Sequence, residues 1–184
     1  MIFGRVPGVR HLVTSRRSEL RLARVREFLS GLPTSEEVLV IGPSFETAAE
    51  LTRSLGGALF GWRRTTLYRW ALELARPVLL ERQLTAVTSL SLEALWARVA
   101  HELGEAELLH RLSPLEGRPG LSRALARTVA ELRLLRIPPD DVEPALAEAM
   151  RAFELALSDA HLADRATVYS LALELVGASP RVPV

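Results

Sequence analysis

The chain of 184 residues contains no cysteine, no lysine and no asparagine, and its aromatic content is only 5%. Without cysteine there can be no disulfide, thiolate-bound zinc or iron–sulfur cluster, so stability has to come from packing. A hydrophobic content of 48% is enough for that, in one domain or in a domain with a sizeable insertion. His11, His101, His110 and His161 never fall at metal-ligand spacing, and neither a metal nor any other cofactor is expected. The missing lysine has a sharper consequence. A Walker-type phosphate loop needs a lysine that reaches the β- and γ-phosphates, and arginine's planar fork is not an equivalent point charge. A GC-rich coding sequence accounts for the loss of both lysine and asparagine, but the chemical consequence stands. No apolar run approaches the roughly 18 residues of a membrane helix. Gly4, Pro7, Gly8 and two arginines break the segment from Met1 to Val13, unlike a signal peptide, and the expected location is the cytoplasm.

All 23 basic residues are arginines, and against 22 acids they leave a net charge of only +1. The distribution is less neutral. Residues 1–30 hold seven arginines against Glu19 and Glu27, whereas residues 138–165 hold seven acids against Arg151 and Arg165. Such polarity suits a chain with one surface turned to phosphate and another to solvent or protein.

Two patterns follow each other along the chain. Val9 to Thr14 is a short β-branched run, Ser18 to Leu29 an amphipathic helix ending at Gly31 and Pro33, and Glu37 to Ile41 a continuous apolar strand of the kind buried in parallel sheets. Phe45 to Leu55 reads as a second helix, Ala58 to Trp62 as a third, weaker strand, and a threonine at 65 or 66 as the cap of a helix reaching about Leu80. This β-α-β-α order favours parallel strands. From Ser89 onward the pattern is helical only: Ser91 to Leu103, Glu105 to Leu112, Gly120 to Leu135, Asp140 to Ser158 and Asp164 to Val176, with Asp140 and Asp164 as N-caps. The expected organisation is a sheet part over residues 1–88, a helical part over 89–176 and a frayed tail over 177–184.

The order of these pieces resembles the N-terminal third of the AddB-type subunit of bacterial helicase–nucleases, repair proteins built on a superfamily 1 helicase fold. Pro43-Ser44-Phe45-Glu46-Thr47-Ala48-Ala49-Glu50-Leu51 matches the family's turn after the second strand, where such helicases touch single-stranded DNA. Thr65-Thr66-Leu67-Tyr68-Arg69-Trp70-Ala71-Leu72 matches the later strand-to-helix step, and Pro119 through Arg133 resembles a segment of the family's helical insertion. Phe153 to Leu157, with Leu162 to Ala166, resembles a further helix and the leucine and aspartate that open the next one. The resemblance spans roughly residues 9–176. It implies an α/β, mostly helical chain: a partial RecA-like, P-loop-derived parallel sheet with a helical insertion, working in DNA recombination and double-strand-break repair beside a motor helicase–nuclease partner subunit. Two departures matter. Where ATP-binding relatives carry a glycine- and lysine-containing loop, this chain has Thr14-Ser15-Arg16-Arg17-Ser18-Glu19, so no ATP hydrolysis is expected. The chain also stops before any second RecA-like half or nuclease module, as a fragment or an isolated first domain would.

Two surfaces follow. Ser44 and Phe45, with Arg63, Arg64 and Thr65, are expected at the carboxyl ends of adjacent parallel strands, offering donors and a ring to single-stranded DNA or duplex ends, weakly and without sequence preference. The plainer alternative packs Phe45 against its helix and leaves the arginines solvated. Ser15, Arg16, Arg17 and Ser18 precede a helix and form a possible anion site, against an ordinary serine cap. Trp62, Trp70 and Trp96 are read as core rather than as a stacking platform, and Arg123, Arg127 and Arg133 as a solvated helix face. No catalytic constellation can be assembled. The rival reading is a freestanding helical protein-interaction domain, which the lack of parallel strands at Val9 to Thr14 and Val38 to Ile41 would favour.

Overall fold

A computed structural model describes residues 12–33, 35–56 and 60–178. Among these residues the chain is mostly helical with short parallel strands. It divides into two compact units, the smaller ending at Leu67 and the larger beginning at Tyr68.

The smaller unit contains α1 (Ser18–Ser30), β1 (Val38–Gly42), α2 (Phe45–Arg53) and β2 (Trp62–Thr66). β1 and β2 pair in parallel, from Val38 opposite Trp62 to Gly42 opposite Thr66. Alternation along the strands sends Val38, Val40 and Trp62 into a core with Val25 and Leu29 of α1 and Ala48 and Leu51 of α2. Leu39 and Ile41 point to the other face, outside that core, and Ile41 is 41% exposed. The corner between β1 and α2 requires a glycine, because a Cβ on Gly42 would stand 2.8 Å from the Ser44 carbonyl oxygen and 3.1 Å from the Ala48 Cβ.

Two strand expectations need correction. Residues 9–11 of the first expected strand lie outside the described residues, and Leu12 to Thr14 are not in a strand. The third strand is not Ala58 to Trp62, of which 58 and 59 also lie outside the description, but Trp62–Thr66. Gly61, at φ +76°, makes its turn just before Trp62, and the β-branched Thr65 and Thr66 extend the strand until α3 (Leu67–Glu81) takes over without a capping loop.

The larger unit continues from α3 through β3 (Thr85–Ala86), α4 (Ser89–Glu105), α5 (Pro119–Leu134), α6 (Pro144–Asp159), β4 (Leu162–Ala163) and α7 (Arg165–Ala178). Its main core joins Trp96, Val99 and Leu103 of α4, Leu125 and Val129 of α5, and Met150 and Phe153 of α6. A second cluster sets Ala71, Ala75 and Leu79 of α3 against Val168, Leu171 and Ala172 of α7. That packing places α3 with the helical unit, so the structural division falls after Leu67, whereas the sequence-based division stands at residue 88. The pairing of β3 with β4, also parallel, has no counterpart in the sequence reading. The helix expected over Glu105 to Leu112 is replaced by a turn and a 3₁₀ segment, His110–Leu115, because α4 runs on through Glu105 and Glu107 reverses the chain at φ 56°. Asp140 does not cap α6. Pro144 sets the first turn and holds Glu143 extended before it, while Asp140 lies in a short 3₁₀ turn.

Three helices end in the same way, and the missing asparagine explains how. Gln83, Glu107 and Arg136 adopt φ of 55°, 56° and 56° just past α3, α4 and α5. The following amides reach back across the last turn, Leu84 to the Leu79 carbonyl at 2.8 Å, Leu108 to Leu103 at 2.9 Å and Ile137 to Leu132 at 3.0 Å. Glycine or asparagine usually fills this left-handed position. Gln83→Gly and Glu107→Gly are therefore expected to stabilise the protein, each by about 0.5–1 kcal/mol. Urea unfolding of each variant against the parent checks this, and lower midpoints would refute it.

Candidate nucleic-acid interface

The carboxyl end of β1 leads through Pro43 into α2, and Ser44 holds the N-cap position with extended backbone. Its hydroxyl oxygen accepts the Thr47 amide at 3.2 Å and shares a hydrogen bond with the Thr47 hydroxyl at 3.1 Å. Ser44 is thus a capping residue first, with one lone pair committed to the helix. Phe45, the first residue of α2, is 45% exposed rather than packed away.

Arg63 and Arg64 are both exposed, but not at the end of a strand. They stand within β2, opposite Leu39 and Val40, because that strand begins at Trp62 and runs to Thr66. Alternation puts them on opposite faces of the ribbon. Thr65, opposite Ile41, is buried, and its hydroxyl donates to the Thr66 carbonyl at 3.4 Å. This corrects the expectation for Thr65, which has no surface to offer a strand of DNA. The structure therefore keeps Ser44 and Phe45 at the strand-to-helix corner, with Arg63 and Arg64 on the neighbouring strand.

Sequence reasoning missed one charge at this corner. Glu46 sits in the first turn of α2, and its own backbone amide together with the Ser44 hydroxyl holds its carboxyl below the usual value. An internal carboxylate already answers the positive end of the helix there and opposes a phosphate. The signal in the sequence was an acid two residues after a capping serine.

At the other expected site, α1 begins at Ser18, and the N-cap position is Arg17, not a serine, with no side-chain cap. Ser15 accepts the Arg17 amide at 3.1 Å, and the Arg21 guanidinium donates to the Ser15 carbonyl. The expected serine cap is absent since the residue preceding the helix is an arginine. Arg16 and Arg17 are both exposed.

The remaining candidates divide. Trp62 and Trp96 are buried, the latter stacked on Phe153 at 4.3 Å between centroids, whereas Trp70 is half-buried. Arg123 and Arg127 are exposed, Arg127 pairing with Glu131 one turn on. Arg133 breaks the expected solvated face: it is largely buried and paired with Asp164 at 2.9 Å. The sequence signal was its place four residues after Val129, on the apolar stripe of α5. Much of the acidic segment is likewise satisfied internally, Asp140 and Glu148 by Arg151, and Glu143 by Arg111 at 2.7 Å. Among the described residues no group of three or more histidine, aspartate or glutamate side chains is placed to hold a metal ion, and no helix is long and apolar enough to cross a membrane. No protein-family model, curated protein or solved structure matches the chain.

Proposed function

We propose that the chain is a non-catalytic N-terminal region of an AddB-like helicase–nuclease subunit, which guides DNA during recombinational repair of double-strand breaks while a partner subunit supplies the motor. The observation that carries this reading is the β1–α2–β2 unit. Its parallel strands feed a helix whose first turn presents Ser44 and the exposed Phe45, and the adjacent strand carries two exposed arginines. Single-strand paths combine charge for phosphates with rings for bases, and this unit offers both. The loop before α1 has neither the glycines nor the lysine of a phosphate loop, so the chain acts without hydrolysing ATP. The rival, a freestanding helical interaction domain, draws its support from the larger unit, which has a core of its own.

Fluorescence anisotropy with a labelled oligonucleotide at several salt concentrations separates the two. For three or four neutralised phosphates, the slope of log affinity against log salt is on the order of −2 to −3. Arg63→Ala/Arg64→Ala is expected to weaken binding roughly tenfold for all sequences alike and to flatten the slope by about 1.4. Glu46→Gln removes the competing carboxylate and is expected to tighten binding about two- to fivefold. If the arginine variant binds like the parent with an unchanged slope, the DNA-guiding reading fails.

A further inference from the structure

β1 is an edge strand with the composition of a central one. Among the described residues it pairs with β2 alone, yet Val38–Gly42 contains no charge, no proline and no polar side chain. Continuous apolar runs of this kind belong to parallel strands flanked on both sides. Edge strands are ordinarily blunted by charges, prolines or bulges, because their unpaired amides and carbonyls would otherwise recruit another strand. β2 carries such a guard in the exposed Arg63 and Arg64, whereas β1 has neither charge nor proline. The register shows which groups the open edge presents. The Val38 amide donates toward β2, to the Gly61 carbonyl at 3.4 Å. Backbone direction alternates along a strand, so Val38, Val40 and Gly42 address β2, while the amides and carbonyls of Leu39 and Ile41 point away from it. The side chains of those two residues also lie outside the core, and Ile41 is 41% exposed.

We infer that this edge pairs with the same edge of a second copy of the chain, antiparallel about a two-fold axis at Val40. In that register Leu39 faces Ile41 of the second copy and exchanges both backbone hydrogen bonds with it. The symmetric pair does the same, so every outward amide and carbonyl of Leu39 and Ile41 is satisfied. A slip of one residue opposes outward groups to inward ones, and a slip of two opposes Ile41 to Glu37 or Leu39 to Pro43, which has no N–H. Charge selects this edge over the other. Pairing β2 with itself would set arginines of both copies side by side, and pairing β1 with β2 of the next copy would build an open chain along Arg63 and Arg64. With β1 against β1, Glu36 and Glu37 fall opposite Ser44 and Pro43 of the second copy, away from their own counterparts. The ladder is short, so the dimer is weak and its population follows concentration. The inference does not rest on DNA contact by Ser44, Phe45, Arg63 or Arg64.

The test uses the full chain, which has no cysteine of its own, so introduced thiols report without background. Sedimentation at rising concentration is expected to show a monomer–dimer equilibrium. Leu39→Cys and Ile41→Cys copies, mixed under mild oxidation, should form disulfide dimers about tenfold faster than either does by itself. The register puts positions 39 and 41 about 5.5 Å apart between Cα atoms, within disulfide reach, and like positions roughly 7–8 Å apart, beyond it. Leu90→Cys, at an exposed position of the larger unit, sets the rate of chance collision. Ile41→Lys, at an exposed position outside the core, should weaken the dimer about tenfold while the circular dichroism stays that of the parent. The inference is overturned if the chain stays monomeric throughout, if it builds trimers and larger species, or if Ile41→Lys dimerises as the parent does. Mixed cysteine copies that crosslink no faster than Leu90→Cys overturn it too. A monomer whose Leu39 and Ile41 amides resist hydrogen exchange overturns it in favour of a strand supplied within the chain.

Discussion

Replacing Asp164 with alanine is expected to destabilise the larger unit by about 3–5 kcal/mol, because it takes from the largely buried Arg133 its buried partner, leaving only the half-exposed Glu154, and removes the cap of α7. The Arg133 side chain is 12% exposed and that of Asp164 7%. Arg133 donates from Nε to Asp164 Oδ2 at 2.9 Å and from Nη2 to Oδ1 at 3.3 Å, and it also pairs with Glu154. The same aspartate caps α7, accepting the Thr167 amide at 2.9 Å and the Thr167 hydroxyl at 2.6 Å. One carboxylate therefore ties the end of α5 to the start of α7. Burial alone would push its carboxyl up, but the hydrogen bonds and charge of Arg133 and the two bonds from Thr167 outweigh burial and hold it below the usual aspartate value. A folded-state value below the unfolded one gives stability that is complete above the unfolded value, about 3.9, and is lost as pH falls through the folded one. Urea unfolding of the parent and of Asp164→Asn should accordingly begin to converge below about pH 4 and meet only once the pH has fallen through the lower folded-state value. Arg133→Met combined with Asp164→Ser keeps a capping oxygen while removing both charges, and should recover most of the loss. If the double variant is as unstable as Asp164→Ala, the ion pair is not the source of the effect.

Phe153→Ala is expected to cost a similar amount, about 3–5 kcal/mol, through lost burial and the cavity left behind. The ring lies 4.3 Å from Trp96 at an interplanar angle of 15°, both side chains are almost fully buried, and the Arg133 guanidinium carbon sits 5.6 Å from the ring centre on another side. Removing the ring therefore takes away a stacking partner, a core residue and one face of the buried ion pair together. The measurement is again urea unfolding, followed by tryptophan emission, which should shift to the red as Trp96 gains water. Because Arg133 contacts both Phe153 and Asp164, combining Phe153→Ala with Asp164→Asn should give less than the sum of the single effects. Strict additivity would show that the aromatic stack and the ion pair act independently.

The sequence by itself determined the elements whose signals are local. The apolar run of β1, the amphipathic stripes of α1, α2 and α5, and the prolines and glycines between them place those helices and the strand close to where the structure has them, and the cap by Asp164 was legible from one aspartate before a helical run. Ser44 and Phe45 were read as residues following the carboxyl end of β1, which is where they stand, whereas the capping role of Ser44 came from the structure. Other features depended on what lies opposite a residue. Trp62 to Thr66 could be read as a strand end followed by a cap until β1 supplied the partner register that keeps Thr65 and Thr66 extended. Asp140 looked like a cap until Pro144 started the helix later. Arg133 looked solvated until Asp164, 31 residues away in sequence, met it in a buried contact. Capping, turning and amphipathicity are settled within a few residues, where the chain carries its own instructions. The burial of a charge, the extension of a weak strand and the side of a helix that stays open are decided by distant residues, and only the tertiary structure brings those together.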